Sequence, residues 1–153
     1  MTTFQIEAIP AAELDRIRAA GHDVEGNPFT PRDAGGGEPL RCCLRPARDG
    51  ERVALIAYRP TGTAGAYAET GPVFVHAQPC AGYPADGGWP PEFRDRRQVL
   101  RAYDVAGRIA DAILVEGADA EAGIAKLLAD PAHVVVHSRN VLYGCYMFTI
   151  RRG

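Results

Sequence analysis

The stretch QVLRAYDVAGRIADAILVEGADAEAGIAKLLADPAHVVVHSRNVLYGCYMFTIR, residues 98–151, decides the fold class. Gln98–Tyr103 reads as a strand, Asp104–Gly107 as a turn and Arg108–Glu116 as the antiparallel partner. The partner segment also fits a helix, because Ile109, Ala112 and Ile113 match the i, i+3, i+4 spacing. Asp119 can cap a helix running to Leu128, with Ile124, Leu127 and Leu128 as its apolar stripe, and Asp130-Pro131 stops it. Two strands, His133–Ser138 and Tyr143–Arg151, close the chain. Hairpin-linked strands with one late strand–helix–strand crossover predict an α+β fold: a largely antiparallel, curved sheet with two helices.

Upstream, Phe4–Ile9 is a short β-like start, and Pro10 opens a helix that buries Leu14 and Ile17 and ends at Gly21. Gly26–Pro39, rich in Gly and Pro, is a loop. Leu40–Pro46 and Arg52–Arg59 flank Asp49-Gly50, the signal of a hairpin. Pro60–Thr70 is a second loop, and Val73–Ala77 an apolar strand. Gln78–Arg97, which holds Trp89, is a long irregular segment of the kind that serves as a binding loop or lid.

A length of 153 residues fits a single domain over 1–153, and 46% hydrophobic residues exclude general disorder. With 17 basic and 19 acidic residues the formal charge is -2, which argues against nucleic acid or an anionic membrane as partner. Lys126 is the only lysine, so 17 - 1 = 16 of the basic residues are arginines. MTTFQIEAIP has no basic start followed by an apolar run, and no stretch reaches the roughly 18 apolar residues of a membrane span. The expected location is the cytoplasm. Cys42, Cys43, Cys80 and Cys145 are then free thiols, with vicinal Cys42 and Cys43 pointing to opposite faces of a strand and only packing.

Chemistry is suggested by polar residues set into apolar strands. These are His76 and Cys80; Arg101, Tyr103 and Asp104; and His137, Arg139, Asn140 and Cys145. Alternation puts Arg101 with Tyr103, and His137 with Arg139. A buried arginine needs a counter-charge, supplied by Asp104 or by a bound anion. These residues suggest a pocket between the Val73–Ala77, Gln98–Tyr103 and His133–Ser138 strands, covered by Gln78–Arg97. There Arg101 and Arg139, with Tyr103, Asp104, His137 and Asn140, would hold an anionic small molecule, while His76 as base and Cys80 as nucleophile would carry any catalysis. The competing reading makes His76 a core imidazole, the cysteines inert and the arginines structural, in a non-catalytic interaction module or homodimer. A third reading groups His76, Cys80, His137 and Cys145 as zinc ligands; no other cofactor is expected. Trp89 and Tyr83 would either close over a ligand or pin their loop to the core. Whether the chain is an enzyme stays open.

At these residues the chain resembles the domain of unknown function 1203 family of small bacterial proteins. The matching segments are Cys43-Leu-Arg45, Gly71-Pro-Val-Phe-Val-His-Ala77 with Cys80, Leu100-Arg-Ala-Tyr-Asp104, and Arg139-Asn140 with Gly144-Cys145. The resemblance covers essentially the whole chain. It implies a compact bacterial domain with no assigned activity, and no catalytic residues to carry over.

Overall fold

Alternating apolar strands sort into two sheets rather than one. The computed structural model describes residues 3–153. In chain order the elements are β1 (Phe4–Glu7), α1 (Ala11–Ala20), β2 (Arg32–Asp33), β3 (Pro39–Leu40), β4 (Arg45–Pro46), β5 (Arg52–Tyr58), β6 (Gly71–His76), β7 (Gln98–Tyr103), β8 (Ile109–Val115), α2 (Ala120–Leu128), β9 (Val135–Asn140) and β10 (Tyr146–Arg152). The first sheet has the order β1-β10-β9-β7-β8 and is antiparallel throughout. The second has the order β2-β5-β6-β3-β4, with β3·β6 its parallel pair. The α+β class is as read from the sequence.

The ambiguous segment is a strand: β8 pairs along its length with β7, leaving one edge and most of its side chains exposed. Helix α2 then crosses from β8 to β9 over β7 and buries Ile124, Leu127 and Leu128 in the first core. Asp119 stands at its N-cap position, but its side chain makes no capping bond. Helix α1 ends where Gly21 adopts φ 77, and its Leu14 and Ile17 join the second core, on the β5–β6 sheet. Strand β10 joins the two cores, with Tyr146 in the second and Met147, Phe148 and Ile150 in the first.

Two expectations are corrected. The Asp49-Gly50 turn does not join Leu40–Pro46 to the strand after it. Strand β5 pairs with β2 and β6, while β4 folds back on β3 across residues 41–44. The long segment Gln78–Arg97 is also not a free lid. Trp89 and Phe93 are fully buried in the first core, with the Trp89 ring edge-on to Phe148 at 5.1 Å. The Tyr83 hydroxyl donates to the Gly87 and Gly88 carbonyls, folding the segment on itself. These aromatics pin the loop. Among the described residues, no helix is long and apolar enough to cross a membrane.

Candidate metal centre

The turn between β3 and β4 builds the site. Leu40 pairs in parallel with Phe74 of β6, the Arg41 N–H donates to the Phe74 carbonyl at 2.8 Å, and the chain then curls so that the Leu44 N–H reaches the Leu40 carbonyl at 3.1 Å. Leu44 takes φ 59, a left-handed conformation uncommon for a leucine and a marker of a locally constrained backbone. The curl brings the Cys42 and Cys43 sulfurs to 3.9 Å from each other. Strand β6 ends beside them at His76, whose backbone N–H donates to Cys42 Sγ at 3.2 Å. Cys80 arrives four residues later.

One ligand atom from each of Cys42, Cys43, His76 and Cys80 lies within 4.8 Å of the other three. His76 Nδ1 is 3.5 Å from Cys42 Sγ and 3.7 Å from Cys43 Sγ. A tetrahedral zinc with bonds of about 2.3 Å to sulfur has ligand–ligand edges of about 3.8 Å. The cluster is therefore already close to the size a tetrahedral ion requires. The donor set, three sulfurs and an imidazole nitrogen, is one that zinc prefers.

The imidazole is oriented from outside the cluster. Its Nε2 lies 2.9 Å from Glu51 Oε2, and Glu51 takes a two-pronged contact from Arg45, at 2.8 Å on each oxygen. Arg45, then the Arg48 N–H, then His76 itself hold the Glu51 carboxyl far below the ordinary carboxylate range. An ionised carboxylate only accepts, so Nε2 carries the proton and Nδ1 presents its lone pair to the cysteines. The longer 3.4 Å approach of Arg45 Nη2 to the same nitrogen does not change that assignment. A carboxylate behind a histidine is the usual outer support of a metal ligand.

The three thiols differ. Cys42 donates to Cys43, which raises the Cys42 thiol, aided by burial, and lowers that of Cys43. Burial raises the Cys80 thiol, with the Gly82 N–H opposing it. Cys80 is exposed and sits between two cavities. One, of about 280 Å³, is bounded by Arg45, Glu51, Arg52 and His76; the other, of about 390 Å³, by Cys42, Leu14, Arg18 and Tyr83. Arg18 of α1 secures the approach, donating to the His76, Ala77 and Gln78 carbonyls at 3.0, 3.1 and 3.3 Å. Arg45 stands in the Cys43-Leu-Arg45 segment of the family resemblance, but nothing in the sequence signals its role or that of Arg18 and Glu51 as supports, because they converge from separate elements.

The other expected site residues lie on the first sheet. Arg101 and His137 face each other across β7 and β9, and the Tyr103 and His137 rings are 4.8 Å apart. Arg101 and Arg139 both bind Glu69, each at 2.9 Å, so one carboxylate from the 60–70 loop neutralises them jointly. The cavity lined by His76 and Cys80 includes neither arginine. The expected three-strand pocket is thereby corrected: β6 belongs to one sheet, β7 and β9 to the other. Asp104, expected as the partner of Arg101, instead binds Arg108 at 3.1 Å and closes its turn through the Ala106 and Arg108 N–H groups. Asn140 caps the following turn by accepting from the Leu142 and Tyr143 N–H groups. The grouping of His76 and Cys80 with His137 and Cys145 is likewise corrected. The imidazole Nε2–H of His137 donates to the Thr61 carbonyl at 2.8 Å, and Cys145 accepts from Arg41. Cys42 and Cys43, expected to pack, take the places of that second pair.

Two sheets, two helices and a Cys3His cluster at the end of β6 define the class: an α+β protein with four side chains placed so that they could hold a metal ion. The family model described as "Protein of unknown function (DUF1203)" matches residues 37–152, and the chain belongs to that family. That range includes all four residues of the cluster. No curated protein and no solved structure matches the chain.

Proposed function

We propose that this protein binds a transition metal ion, zinc in the first instance, through Cys42, Cys43, His76 and Cys80. The mutual approach of four good donor atoms within 4.8 Å carries the reading. The Arg45–Glu51–His76 relay supports it by fixing the imidazole tautomer. Four protein ligands fill a tetrahedral shell and leave no open position for a water nucleophile, so the bound ion acts as a cross-link rather than a hydrolytic centre. His76 and Cys80 then serve as ligands, not as base and nucleophile. What the ion ties together is the 41–44 turn, the end of β6 and the start of the long loop.

Protein purified without chelator should carry one zinc per chain by elemental analysis. Cobalt should replace it and give thiolate-to-metal absorption that Cys80→Ser and His76→Ala diminish. Replacing Glu51 by Gln should leave the ligands in place and weaken zinc by about 10–100-fold. Zinc should also slow alkylation of Cys42, Cys43 and Cys80. Metal-free protein that takes up no cobalt, with thiols that alkylate equally fast with and without zinc, would sink the proposal. A second reading rests on the lowered Cys43 thiol: a reactive thiolate site, in which Cys43 alkylates ahead of Cys80 and zinc protects neither.

A further inference from the structure

The residue before the cysteine pair belongs to a different cavity. Arg41 is 1% exposed. Its Nε donates to the Tyr146 carbonyl at 2.7 Å, Nη1 to the Pro39 carbonyl and Nη2 to Cys145 Sγ at 3.0 Å. Two carbonyls and a thiol supply no formal negative charge. A guanidinium has five N–H donors, so these three bonds leave two without an acceptor among the described residues. Among the described residues, no carboxylate lies within 4.0 Å of Arg41. The fold treats its other enclosed arginines differently: Arg45 is matched by Glu51, and Arg101 and Arg139 by Glu69. Burying a charge without a counter-ion is costly, and a cavity beside it is where a counter-ion can bind.

That cavity exists. It has a volume of about 420 Å³ and is walled by Arg41, Arg96 and Cys145 on its polar side and by Leu55, Phe74 and Tyr143 on its apolar side. Arg96 brings a second guanidinium, stacked 5.3 Å above the Phe93 ring and, among the described residues, without an ion pair. Two cationic forks beside an apolar wall, in a space within the usual size range for small-molecule sites, call for one kind of ligand.

We infer that the Arg41–Arg96 cavity binds a small amphipathic anion, its carboxylate or phosphate head on the two guanidiniums and its apolar body against Leu55, Phe74 and Tyr143. The cavity shares no lining residue with the two cavities beside Cys80, although Arg41 belongs to the same 41–44 turn as Cys42. An anionic small-molecule ligand, expected from the sequence at Arg101 and Arg139, fits better here because no protein carboxylate occupies the place.

Calorimetric titration of the full-length protein with octanoate, octyl phosphate and octanol tests the inference. At least one anion should bind, with octanol at least about tenfold weaker, and the stronger anion identifies the head group. Arg96→Gln and Tyr143→Ser are the variants of choice, since Arg96 makes no ion pair among the described residues and Tyr143 is 86% exposed. Each should fold and weaken the anion, Arg96→Gln by about tenfold. The bound anion should slow iodoacetamide labelling of Cys145 and leave that of Cys80 unchanged, an outcome independent of whether zinc binds. Failure of both anions to bind, octanol binding as well as they do, or full affinity in both variants would overturn it.

Discussion

His137 is a buried histidine kept neutral by its surroundings, and this has a consequence for stability. Burial first, then the positive charges of Arg139, Arg101 and Arg151, push its pKa from the ordinary 6.5 down to about 4, against the opposing bond to the Thr61 carbonyl. Its Nδ1 has no partner among the described residues, while the Tyr103 and Tyr146 rings pack on either side. Between pH 6.5 and about 4 the unfolded chain binds a proton that the folded chain refuses, so stability falls as the pH is lowered through that window. The full effect is on the order of 3 kcal/mol. Urea midpoints measured in chelator between pH 7.5 and 4.5 should show this decline, and His137→Gln should flatten it. An unchanged slope in the variant would assign the decline to other groups. Glu51 works in the same sense, since its pKa too is lowered in the fold, but over a more acidic range. Its carboxylate, held ionised by Arg45, fixes the His76 tautomer, and its own loss belongs to much lower pH.

At the scale of elements, the fold depends on close backbone approach where the long loop meets the β8–α2 connection. A Cβ at Gly117 would stand 2.1 Å from the Arg94 carbonyl oxygen and 2.8 Å from that of Arg96, both backbone atoms that cannot turn aside. Gly117→Ala should therefore cost about 1–3 kcal/mol and lower the thermal midpoint by several degrees. Gly35→Ala, with nothing within 4 Å, should be nearly silent in the same melt. Equal midpoints for the two variants would show that the 94–96 backbone is not fixed as described. The β3–β4 turn illustrates the opposite problem for a sequence reader. Arg41–Leu44 carries no Gly, Pro, Asn or Asp, and its left-handed residue is a leucine, so no turn chemistry marks it. An extended reading separates Cys42 from Cys43; the actual turn gathers them.

For the whole molecule, two apolar cores joined through β10 supply stability without a metal. Chelation should therefore lower the thermal midpoint without abolishing cooperative unfolding, unlike a finger that folds only with zinc. At free zinc of 100 times Kd the linkage is about 2.7 kcal/mol, or roughly 5–10 °C for a chain of this size. A midpoint indifferent to zinc and chelator in differential scanning calorimetry would mean that the ion, if bound, does not distinguish the folded state. The cavity at Arg41 is set by the same architecture, since its walls come from β3 and the turn after it, β5, β6, the 94–97 stretch and the turn before β10.

Local chemistry by itself determined the longer elements, though not the short strands β2–β4 or the choice of strand over helix at β8. Period-2 alternation placed β7 and the core of β9 and β10, the 3.6-residue stripe placed α2, and Gly21 ended α1, because each of these signals is read within one short segment. The sequence also carried His76 and Cys80 as conspicuous residues, and Trp89 as a candidate plug. Only the tertiary structure decided which residues meet. It split the expected sheet in two and gave Arg101 and Arg139 to Glu69. It drew Cys42 and Cys43 to His76 and left Arg41 beside a cavity without a counter-charge. The physical reason is that a site is a matter of distance between segments far apart in the chain. Those distances follow from strand order and one unmarked turn, neither of which leaves a periodic trace.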